Sequence, residues 1–380
     1  MPQEVNDERR TVKKPPISDP INLFDYETLA RKFLPQVTYD VIAGGATDEI
    51  TLRRNRSAFN EIMFRPRILV DVSCVDLSTT VLGQRIDFPV MLAPAGSHGR
   101  VHSDGELASA RAAAAAGTIM VLSSASSFTL EEVAKAADGP RWYQQYFYRD
   151  RGLTMEMAHR AKDAGYSALC ITLDSKTRPK KERDLRSNLP PSRLPNYAGL
   201  GLIENSPEPG ITPSRTLMDL RDHSATWDYL DWFVSNSPLP VIPKGVMTGE
   251  DAYLCSQHGA DSIVVSNHGG EVLDTTFAAV EVLSEVVAAI GNAMEVYVDG
   301  GIRRGSDVVK ALALGARAVL IGRPVFWGLA VDGEAGVLDV LRILRDEIET
   351  TMAMCGRPSI GSIDGSLISA SDPLNPQRIR

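Results

Sequence analysis

The chain has 380 residues, 43% of them hydrophobic and 23% charged, a composition typical of globular proteins with a large buried core. Its net charge of -8, without a lysine- or arginine-rich block that matches a groove-binding module, gives no electrostatic footprint for nucleic acid, so we expect small-molecule partners. The four cysteines are scattered without a CxxC pair, which predicts neither a disulfide framework nor a zinc site and favours a reducing, cytoplasmic location.

The N-terminal part of the chain divides into two stretches of different character. Residues 1–20 are charged and show no apolar period, which predicts a flexible arm with little structure of its own. This stretch has no apolar signal region, and no apolar run in the chain is long enough for a bilayer, so we expect no export and no membrane span. From residue 21 to about residue 83, apolar residues at helical spacing predict two or three helices before the main domain.

After residue 88 the sequence changes to short apolar runs that end in polar residues and alternate with helical patterns ending in glycine. The eight predicted strands cover residues 88–96, 118–124, 141–147, 168–174, 239–245, 262–269, 295–301 and 318–324. Clear helical patterns lie between them at residues 105–117, 248–259 and 304–315. Eight strands in this order favour an α/β fold of the TIM (β/α)8 barrel type over a doubly wound sheet.

We predict one barrel domain over residues 21–370, followed by a short tail at residues 371–380. One connection breaks the rhythm, because the long loop after strand 4, residues 175–238, is rich in proline and shows only weak helix signals. An insertion of this size at the end of a barrel strand is a candidate lid. A helical pattern at residues 334–356 is expected to pack on the barrel.

Polar residues stand where the predicted strands end, the edge at which TIM barrels carry their functional groups. They are Ser123, Gln144, Tyr146, Thr172, Asp174, Lys244, His268, Asp299 and Arg323. Any one of them is more often a hydrogen-bonded loop residue than a site residue. Nine together, including a lysine, a histidine and aspartates, indicate a functional site.

The last two strands run into the motifs DGGIRRG and IGRP. Here Gly300, Gly301 and Gly322 would let backbone amides approach an anion, and Arg303 and Arg323 would add charge-assisted hydrogen bonds. Each motif alone is equally typical of a tight turn with surface arginines. Because the loops after strands 7 and 8 of TIM barrels commonly bind phosphate, the pair favours a phosphate group.

Lys244 and His268 indicate what lies beside that phosphate. A lysine inside a barrel mouth needs a compensating charge, and holding the negative charge of a reduced flavin is one such role. The rival interpretation is a Schiff-base lysine of an aldolase-like barrel. His268 lies beside flexible glycines in SNHGG and could act as a base on a substrate above a cofactor ring. The remaining histidines show no spacing typical of a metal site, and we expect no metal.

Taken together, the motifs resemble those of the FMN-dependent 2-hydroxy-acid oxidase and dehydrogenase family, which includes glycolate oxidase, lactate oxidase and mandelate dehydrogenase. The resemblance covers residues 24–368, and its most specific segments are FRPRIL, LSS, QQY, TLD, PKGV, SNHGG, DGGIRRG and IGRP. It implies an FMN cofactor, a small-molecule substrate and oxygen or another electron acceptor. It also implies a homo-oligomer, commonly a tetramer.

The resemblance further implies residue roles. The residues expected to contact FMN are Pro94, Ala95, Gly96, Ser123, Gln144, Thr172, Lys244, Ser266, Asp299, Gly300, Gly301, Arg303, Gly322 and Arg323. His268 would take the proton of the substrate hydroxyl while the α-hydrogen leaves to flavin N5. Asp174 would stabilise the protonated imidazole, Tyr146 would hydrogen-bond the reacting oxygen, and Lys244 completes the catalytic set.

Two substrate-binding positions depart from the family pattern. The family usually holds the substrate carboxylate with a tyrosine from the N-terminal helices and an arginine three residues after the histidine. These positions here are Val41 and Glu271. At about 4 Å and an effective dielectric near 20, replacing the arginine by Glu271 turns an attraction of about 4 kcal/mol into a comparable repulsion.

A second arginine of the family corresponds to Lys181, which keeps the charge but not the bidentate geometry. Lys181 belongs to a cluster of cations in the long loop, with Lys176, Arg178, Lys180 and Arg183. The cluster could restore carboxylate binding, although a charged loop that simply faces water is the more common arrangement. Glu271 could also pair with one of these cations instead of contacting the substrate.

These departures lead to several hypotheses. The first is an FMN oxidoreductase that oxidises a C–H bond next to a hydroxyl or amine, on a substrate larger or less anionic than lactate. The alternative is an ordinary 2-hydroxy-acid oxidase or dehydrogenase whose substrate carboxylate is held by the lysine cluster. A flavin-binding protein without catalysis is disfavoured because His268, Asp174, Tyr146 and Lys244 are all present. An aldolase-like barrel that binds phosphate is the remaining alternative.

Overall fold

The computed structural model describes residues 19–187, 194–198 and 214–370. The predicted C-terminal tail and nearly all of the predicted N-terminal arm lie outside these residues. No helix in the described ranges combines the length and the apolar character needed to cross a bilayer.

Three helices open the described chain, as predicted: α1 (Leu23–Phe33), α2 (Gln36–Ala43) and α3 (Ile50–Ser57). The side chain of Asn22 begins α1 by accepting hydrogen bonds from the amides of Phe24 and Asp25. Three short strands follow, β1 (Ile62–Phe64), β2 (Thr79–Val81) and β3 (Gln84–Ile86). None of these strands was predicted, because each is only three residues long and carries too little of the alternating pattern.

The hairpin formed by β2 and β3 closes the N-terminal end of the barrel. Its two-residue turn places Leu82 and Gly83 at φ 45° and 75°, the left-handed region that such turns require. Val81 and Ile86 are fully buried and pack against the side chains that fill the barrel interior. The hairpin therefore extends the interior core downward and leaves the opposite, C-terminal end as the open mouth.

Eight parallel strands form a closed barrel, which confirms the predicted TIM fold. They are β4 (Val90–Leu92), β5 (Met120–Ser123), β6 (Arg141–Gln145), β7 (Leu169–Thr172), β8 (Val241–Val246), β9 (Ser262–Val265), β10 (Glu295–Asp299) and β11 (Ala318–Ile321). Each strand pairs with the next along the chain, and β11 closes the barrel on β4. Most strands are shorter than predicted, so that residues such as His268 lie in the loops that follow them.

Helices cover the outside of the barrel and link its strands. They are α4 (Gly105–Ala115), α5 (Leu130–Ala136), α6 (Arg151–Asp163), α7 (Glu182–Arg186), α8 (Ser214–Leu220), α9 (Trp227–Asn236), α10 (Gly249–Gln257), α11 (Ala279–Ile290), α12 (Gly305–Ala313) and α13 (Arg323–Met354). Only weak helix signals were found in the sequence over residues 175–238, but the structure forms the ten-residue helix α9 there. That helix buries Tyr229, Leu230 and Phe233, and the ring of Tyr229 stacks on Phe147 at 4.2 Å between centroids.

The two ends of the described chain meet beside the barrel. Helix α13, kinked at Asp332 and Gly333, contains the predicted C-terminal helix and packs against α1 and α4. After it, β12 (Ile368–Ala370) pairs antiparallel with β1, with Phe64 opposite Ile368. The segment after the barrel is thereby tied to the segment before it.

Candidate active site

A cavity at the C-terminal mouth of the barrel brings most of the predicted site residues together. Those that border it are Val41, Pro94, Ala95, Gly96, Ser123, Tyr146, Lys181, Lys244, His268, Glu271, Asp299, Gly300, Gly301, Arg303, Gly322 and Arg323. Four more contact these residues from one layer deeper: Gln144, Thr172, Asp174 and Ser266. Within the described ranges, no three His, Cys, Asp or Glu side chains are grouped so that they could hold a metal ion.

His268 lies just beyond β9 in the left-handed backbone region, at φ 56°. Its amide donates to the Ser266 hydroxyl at 3.1 Å, and the Asn267 side chain accepts from the amide of Gly270 at 3.1 Å. These bonds hold the turn in a conformation that a histidine adopts only when its surroundings require it. The imidazole is thus fixed at the cavity wall by its backbone as well as by its side-chain partner.

That partner is Asp174, whose Oδ1 lies 3.0 Å from Nδ1 of His268. Burial raises the pKa of the Asp174 carboxyl, but the charges of His268 and Lys244 outweigh burial and hold this pKa below its ordinary value. An ionised Asp174 accepts a hydrogen bond from Nδ1, which leaves Nε2 of the neutral imidazole free to take a proton. Gly245 makes room for this pair, since a Cβ there would lie 2.6 Å from Cβ of Asp174.

Lys244 is a buried ammonium at the end of β8. Its Nζ lies 2.9 Å from Oδ2 of Asp299 and donates to the Ser266 hydroxyl at 2.8 Å. Burial favours the neutral amine, but the carboxylates of Asp299 and Asp174 outweigh it and raise the pKa of Lys244 above its ordinary value. Lys244 is therefore a permanent positive charge, a state unsuited to a Schiff-base nucleophile.

A chain of buried polar side chains crosses three neighbouring strand ends. Oε1 of Gln144 accepts hydrogen bonds from the Ser123 hydroxyl at 3.2 Å and from the Ser124 amide at 3.3 Å. Its Nε2 donates to the Thr172 hydroxyl at 2.9 Å and to the Gln145 carbonyl at 3.1 Å. The amide of Gln144 is thereby fixed in one orientation, with both of its N–H groups and both lone pairs of its oxygen used within the protein.

The end of the cavity that was predicted to bind phosphate combines glycines with Arg303. Gly301 has φ 81°, and a Cβ there would lie 1.9 Å from the carbonyl oxygen of Asn55. A Cβ at Gly322 would have only Cβ of Ala93 nearby, at 3.9 Å, so the backbone there is open to a ligand. Burial and the nearby charges of Arg323 and Arg56 lower the pKa of Arg303 to about 10, although the carboxylates of Glu27 and Asp307 raise it.

Arg323, predicted to contact phosphate, is also bound by protein oxygens. Its guanidinium donates to the carbonyls of Ile42 at 2.8 Å, Gly269 at 2.9 Å and Gly44 at 2.9 Å. A fourth hydrogen bond goes from Nη2 to Oε1 of Glu271 at 3.1 Å. Arg323 therefore joins the N-terminal helices to the loop after β9, and a contact with phosphate stays a prediction.

Glu271 lies between two cations. Nζ of Lys181 donates to Oε2 of Glu271 at 3.1 Å and to the carbonyl of Val41 at 2.9 Å, and Arg323 contacts the other carboxylate oxygen. The prediction that the whole cluster faces water was wrong for Lys181, which is only 8% exposed. The alternative that Glu271 pairs with a cation of this cluster is confirmed.

Several residues of the mouth were missed by the sequence analysis. Arg100 and Asp184 border the same cavity, and Cζ of Arg221 lies 3.4 Å from the ring centroid of Tyr146. Asp274 accepts hydrogen bonds from the amide of Thr51 at 2.7 Å and so ties α3 to the loop after β9. Asp274 could have been found from its place in SNHGGEVLD, whereas Arg100 and Arg221 lie in loops without any motif signal.

A family model described as FMN-dependent dehydrogenase matches residues 30–370. The chain belongs to this family. L-lactate oxidase of Nostoc sp. is 47% identical over 362 residues, covering 93% of this chain and 99% of that protein. Glycolate oxidase of Spinacia oleracea is 45% identical over 354 residues, covering 92% and 95%.

Solved structures agree with these relatives. A soluble variant of the membrane-associated (S)-mandelate dehydrogenase from Pseudomonas putida has a TM-score of 0.85 and 39% identity, covering 93% of this chain and 100% of that one. Mandelate oxidase with bound (S)-2-phenylpropionate has a TM-score of 0.82 and 37% identity. The chain is therefore an FMN-dependent oxidoreductase of the 2-hydroxy-acid oxidase and dehydrogenase type, which confirms the predicted family and cofactor.

Proposed function

We propose that the protein oxidises the C–H bond next to the hydroxyl of a 2-hydroxy acid, with His268 as the base. The single observation that carries this proposal is the 3.0 Å contact between Nδ1 of His268 and Oδ1 of Asp174 at the cavity wall. Of the two substrate classes considered, the pairing of Glu271 with Lys181 and Arg323 favours the hydroxy acid. A carboxylate that is already compensated no longer repels an anionic substrate as an unpaired one would.

The residues of the cavity fit FMN. The buried guanidinium of Arg303 and the open backbone of Gly322 suit the phosphate. Oδ1 of Asp299 is buried without a hydrogen-bond partner in the described structure, so it could accept a hydrogen bond from a hydroxyl of the cofactor. The buried cation of Lys244 suits the negative charge of the reduced flavin ring. When bound, FMN supplies the acceptor for the hydrogen and electron pair that leave the substrate carbon.

The chain's own residues then manage the proton. Nε2 of His268 takes the proton of the substrate hydroxyl as the C–H bond breaks, and the product is a 2-oxo acid. The Asp174 carboxylate stabilises the resulting imidazolium across the 3.0 Å contact. The Tyr146 side chain, which lines the same cavity, hydrogen-bonds the reacting oxygen.

Anaerobic reduction of the bound flavin tests the proposal. Glycolate, lactate and mandelate are added to the purified protein while the visible spectrum is recorded, followed by primary amines and neutral alcohols of matched size. Rapid bleaching by at least one hydroxy acid is the expected result. Bleaching only by amines or neutral compounds would overturn the proposed substrate class while leaving the FMN chemistry intact.

An amine substrate is the second candidate. Oδ1 of Asp184 is buried at the cavity wall without a hydrogen-bond partner among the described residues, and it would accept a hydrogen bond from a substrate ammonium. Bleaching by amines in the same experiment would favour this candidate. A flavin that only dithionite or light can reduce would favour a protein that has lost catalysis.

We also propose the cellular setting. Four free cysteines, three of them buried, suit a reducing cytoplasmic location. The family resemblance suggests a homo-oligomer and an electron acceptor that is oxygen or another carrier. Cell fractionation, light scattering of the purified protein and reoxidation of the reduced flavin in air test these three proposals separately.

A further inference from the structure

Two buried asparagines, Asn55 and Asn267, form a reciprocal pair of hydrogen bonds beside the active site. Nδ2 of Asn55 donates to Oδ1 of Asn267 at 2.8 Å, and Nδ2 of Asn267 donates to Oδ1 of Asn55 at 2.7 Å. Only 1% of Asn55 and 7% of Asn267 is exposed. Asn55 belongs to α3, outside the barrel, whereas Asn267 directly precedes the base His268 in the loop after β9. The pair therefore joins an N-terminal helix to the neighbour of the base.

The other hydrogen bonds of Asn267 determine which way both amides point. Oδ1 of Asn267 also accepts from the Gly270 amide at 3.1 Å, and its Nδ2 also donates to the Phe277 carbonyl at 3.0 Å. Because a backbone amide can only donate and a carbonyl can only accept, these two contacts set the orientation of Asn267, and the orientation of Asn55 follows. Both N–H groups of Asn267 and both lone pairs of its oxygen are thus used within the protein.

The turn that carries the base depends on this fully bonded side chain. His268 and Gly269 have φ 56° and 65°, the left-handed region that a histidine adopts only at an energetic cost. The Asn267 side chain spans the turn and holds the amide three residues further along the chain. Without its Asn55 partner, Asn267 would keep only half of these hydrogen bonds. The turn would then hold the imidazole less firmly at its 3.0 Å contact with Asp174.

The same asparagine of α3 also packs against the loop after β10, which is predicted to bind the cofactor phosphate. A Cβ at Gly300 would lie 3.4 Å from Nδ2 of Asn55 and 3.6 Å from Oδ1 of Asn267. A Cβ at Gly301 would lie 1.9 Å from the carbonyl oxygen of Asn55. The next residue, Arg56, donates to the Gly301 carbonyl at 2.8 Å. Asn55 therefore lies between the loop of the base and the loop of the predicted phosphate site.

We propose that Asn55 is a positioning residue, which holds the turn of the base through Asn267 and keeps that turn in place beside the predicted phosphate loop. The proposal rests on the proposed function, since it requires His268 to be the base. Neither asparagine borders the cavity in the described structure, so the effect of Asn55 on the reaction passes through its neighbours. It acts on the rate of the chemical step and not on the affinity for the substrate.

The test is Asn55→Leu, which keeps the approximate size of the side chain and removes both hydrogen bonds. Asn267→Leu and the double variant complete a double-mutant cycle. The readouts are FMN content, the rate of flavin reduction by a hydroxy acid, and the Kd of 2-hydroxy-2-methylpropanoate, which has the hydroxyl and the carboxylate but no α-hydrogen. Crystal structures of the FMN-loaded wild type and of FMN-loaded Asn55→Leu give a readout that does not depend on activity.

The control is Thr118→Val, at the opposite, N-terminal end of the barrel. Thr118 is buried just before β5, and its hydroxyl donates to the carbonyl of Val90. Valine keeps the shape and removes this buried hydrogen bond, so the Tm should fall. The rate of flavin reduction should stay at the wild-type value, since nothing near the mouth has changed.

We expect Asn55→Leu to slow flavin reduction by about 10- to 100-fold, the cost of displacing the base by roughly 1 Å. The Kd of 2-hydroxy-2-methylpropanoate and the KM should change by less than about twofold, because ground-state binding is retained. The double variant should be little slower than Asn267→Leu alone, since the pair acts as a unit. In the crystal structures, Nδ1 of His268 should lie farther from Oδ1 of Asp174 in the variant than in the wild type.

A reduction rate in Asn55→Leu within about twofold of the wild type would overturn the proposal, and so would an equal loss of rate and of ligand affinity. Equal losses of rate in Asn55→Leu and Thr118→Val at the same fall in Tm would show a purely structural role. If Asn55→Leu does not fold, Asn55→Ser decides, because the smaller side chain fits the same space and cannot form both hydrogen bonds. Failure of the proposed function is a separate result, seen as wild-type flavin that no hydroxy acid can reduce, and the crystal structures still show whether Asn55 holds His268.

Discussion

Replacing Glu271 by glutamine should strengthen the binding of carboxylate ligands, although it removes two ion pairs. The carboxylate contacts Lys181 and Arg323 at 3.1 Å each. At an effective dielectric near 20, each contact is worth about 5 kcal/mol of Coulomb energy, most of it cancelled by the cost of desolvating the charges. Glutamine keeps the shape and can accept a hydrogen bond from only one cation, so we expect the free energy of unfolding to fall by about 1–3 kcal/mol.

The effect on ligands has the opposite sign. Removing the Glu271 charge takes away the carboxylate that now compensates Lys181 and Arg323. For a substrate carboxylate at a separation on the order of 8 Å, the expected gain is about 1–2 kcal/mol at that dielectric after solvent screening. This corresponds to a Kd lower by roughly tenfold. The assay is titration with 2-hydroxy-2-methylpropanoate and its amide, followed by the flavin difference spectrum at low and at high salt.

The matched control is Glu131→Gln, since Glu131 forms a comparable pair with Arg160 on the outside of the barrel. That variant should bind the acid as the wild type does. An acid affinity in Glu271→Gln that is unchanged or weaker, with an unchanged amide affinity, would refute the idea that the Glu271 charge opposes carboxylate binding. A gain that disappears at high salt would support it.

Three further predictions concern the base, the backbone and the scaffold of the site. His268→Gln should slow flavin reduction by about 10²- to 10⁴-fold with unchanged FMN content; stopped-flow reduction at the wild-type rate would exclude His268 as the base. The Gly301→Ala variant should bind less FMN and have a lower Tm, because the new Cβ would lie 1.9 Å from the carbonyl oxygen of Asn55. The control is Gly165→Ala, since Gly165 has φ 83° and no neighbour within 4 Å, so that its change in Tm measures the strain of positive φ alone. Burial raises the pKa of Asp274, but hydrogen bonds from backbone amides lower it to about 2, below its value in the unfolded chain. This stability is present above about pH 4 and is lost as the pH falls toward 2, so urea midpoints of Asp274→Asn should be lower than wild type at pH 7 and converge with it in acid.

The barrel was predictable because its signal is repeated eight times along the chain. Apolar runs ending in polar residues locate the strand ends, and the edge rule of the TIM fold then gathers Lys244, His268 and Asp299 at one mouth. Elements without a repeat were missed. The hairpin of β2 and β3 has strands of only three residues. Helix α9 lies in a proline-rich connection, where the helical spacing of its buried side chains was not recognised.

The substrate end of the site was less predictable for a physical reason. Whether Glu271 repels a substrate depends on partners that are 90 and 52 positions away in the chain. Sequence shows the charges of Lys181 and Arg323 but not the loop geometry that brings them within 3.1 Å. Arg100 lies beyond its strand end in a turn whose direction is set by tertiary hydrogen bonds.

The closure of the barrel also has a consequence for biosynthesis. The mouth needs Val41 from α2 and Arg323 after β11, and β4 has no partner on one side until β11 has been made. The pairing of β1 with β12 is completed only at residue 370. A ribosome must therefore translate past β11 before the nascent chain can capture its flavin, and a product that terminates before β11 would be an open sheet without cofactor, exposed to chaperones and proteases.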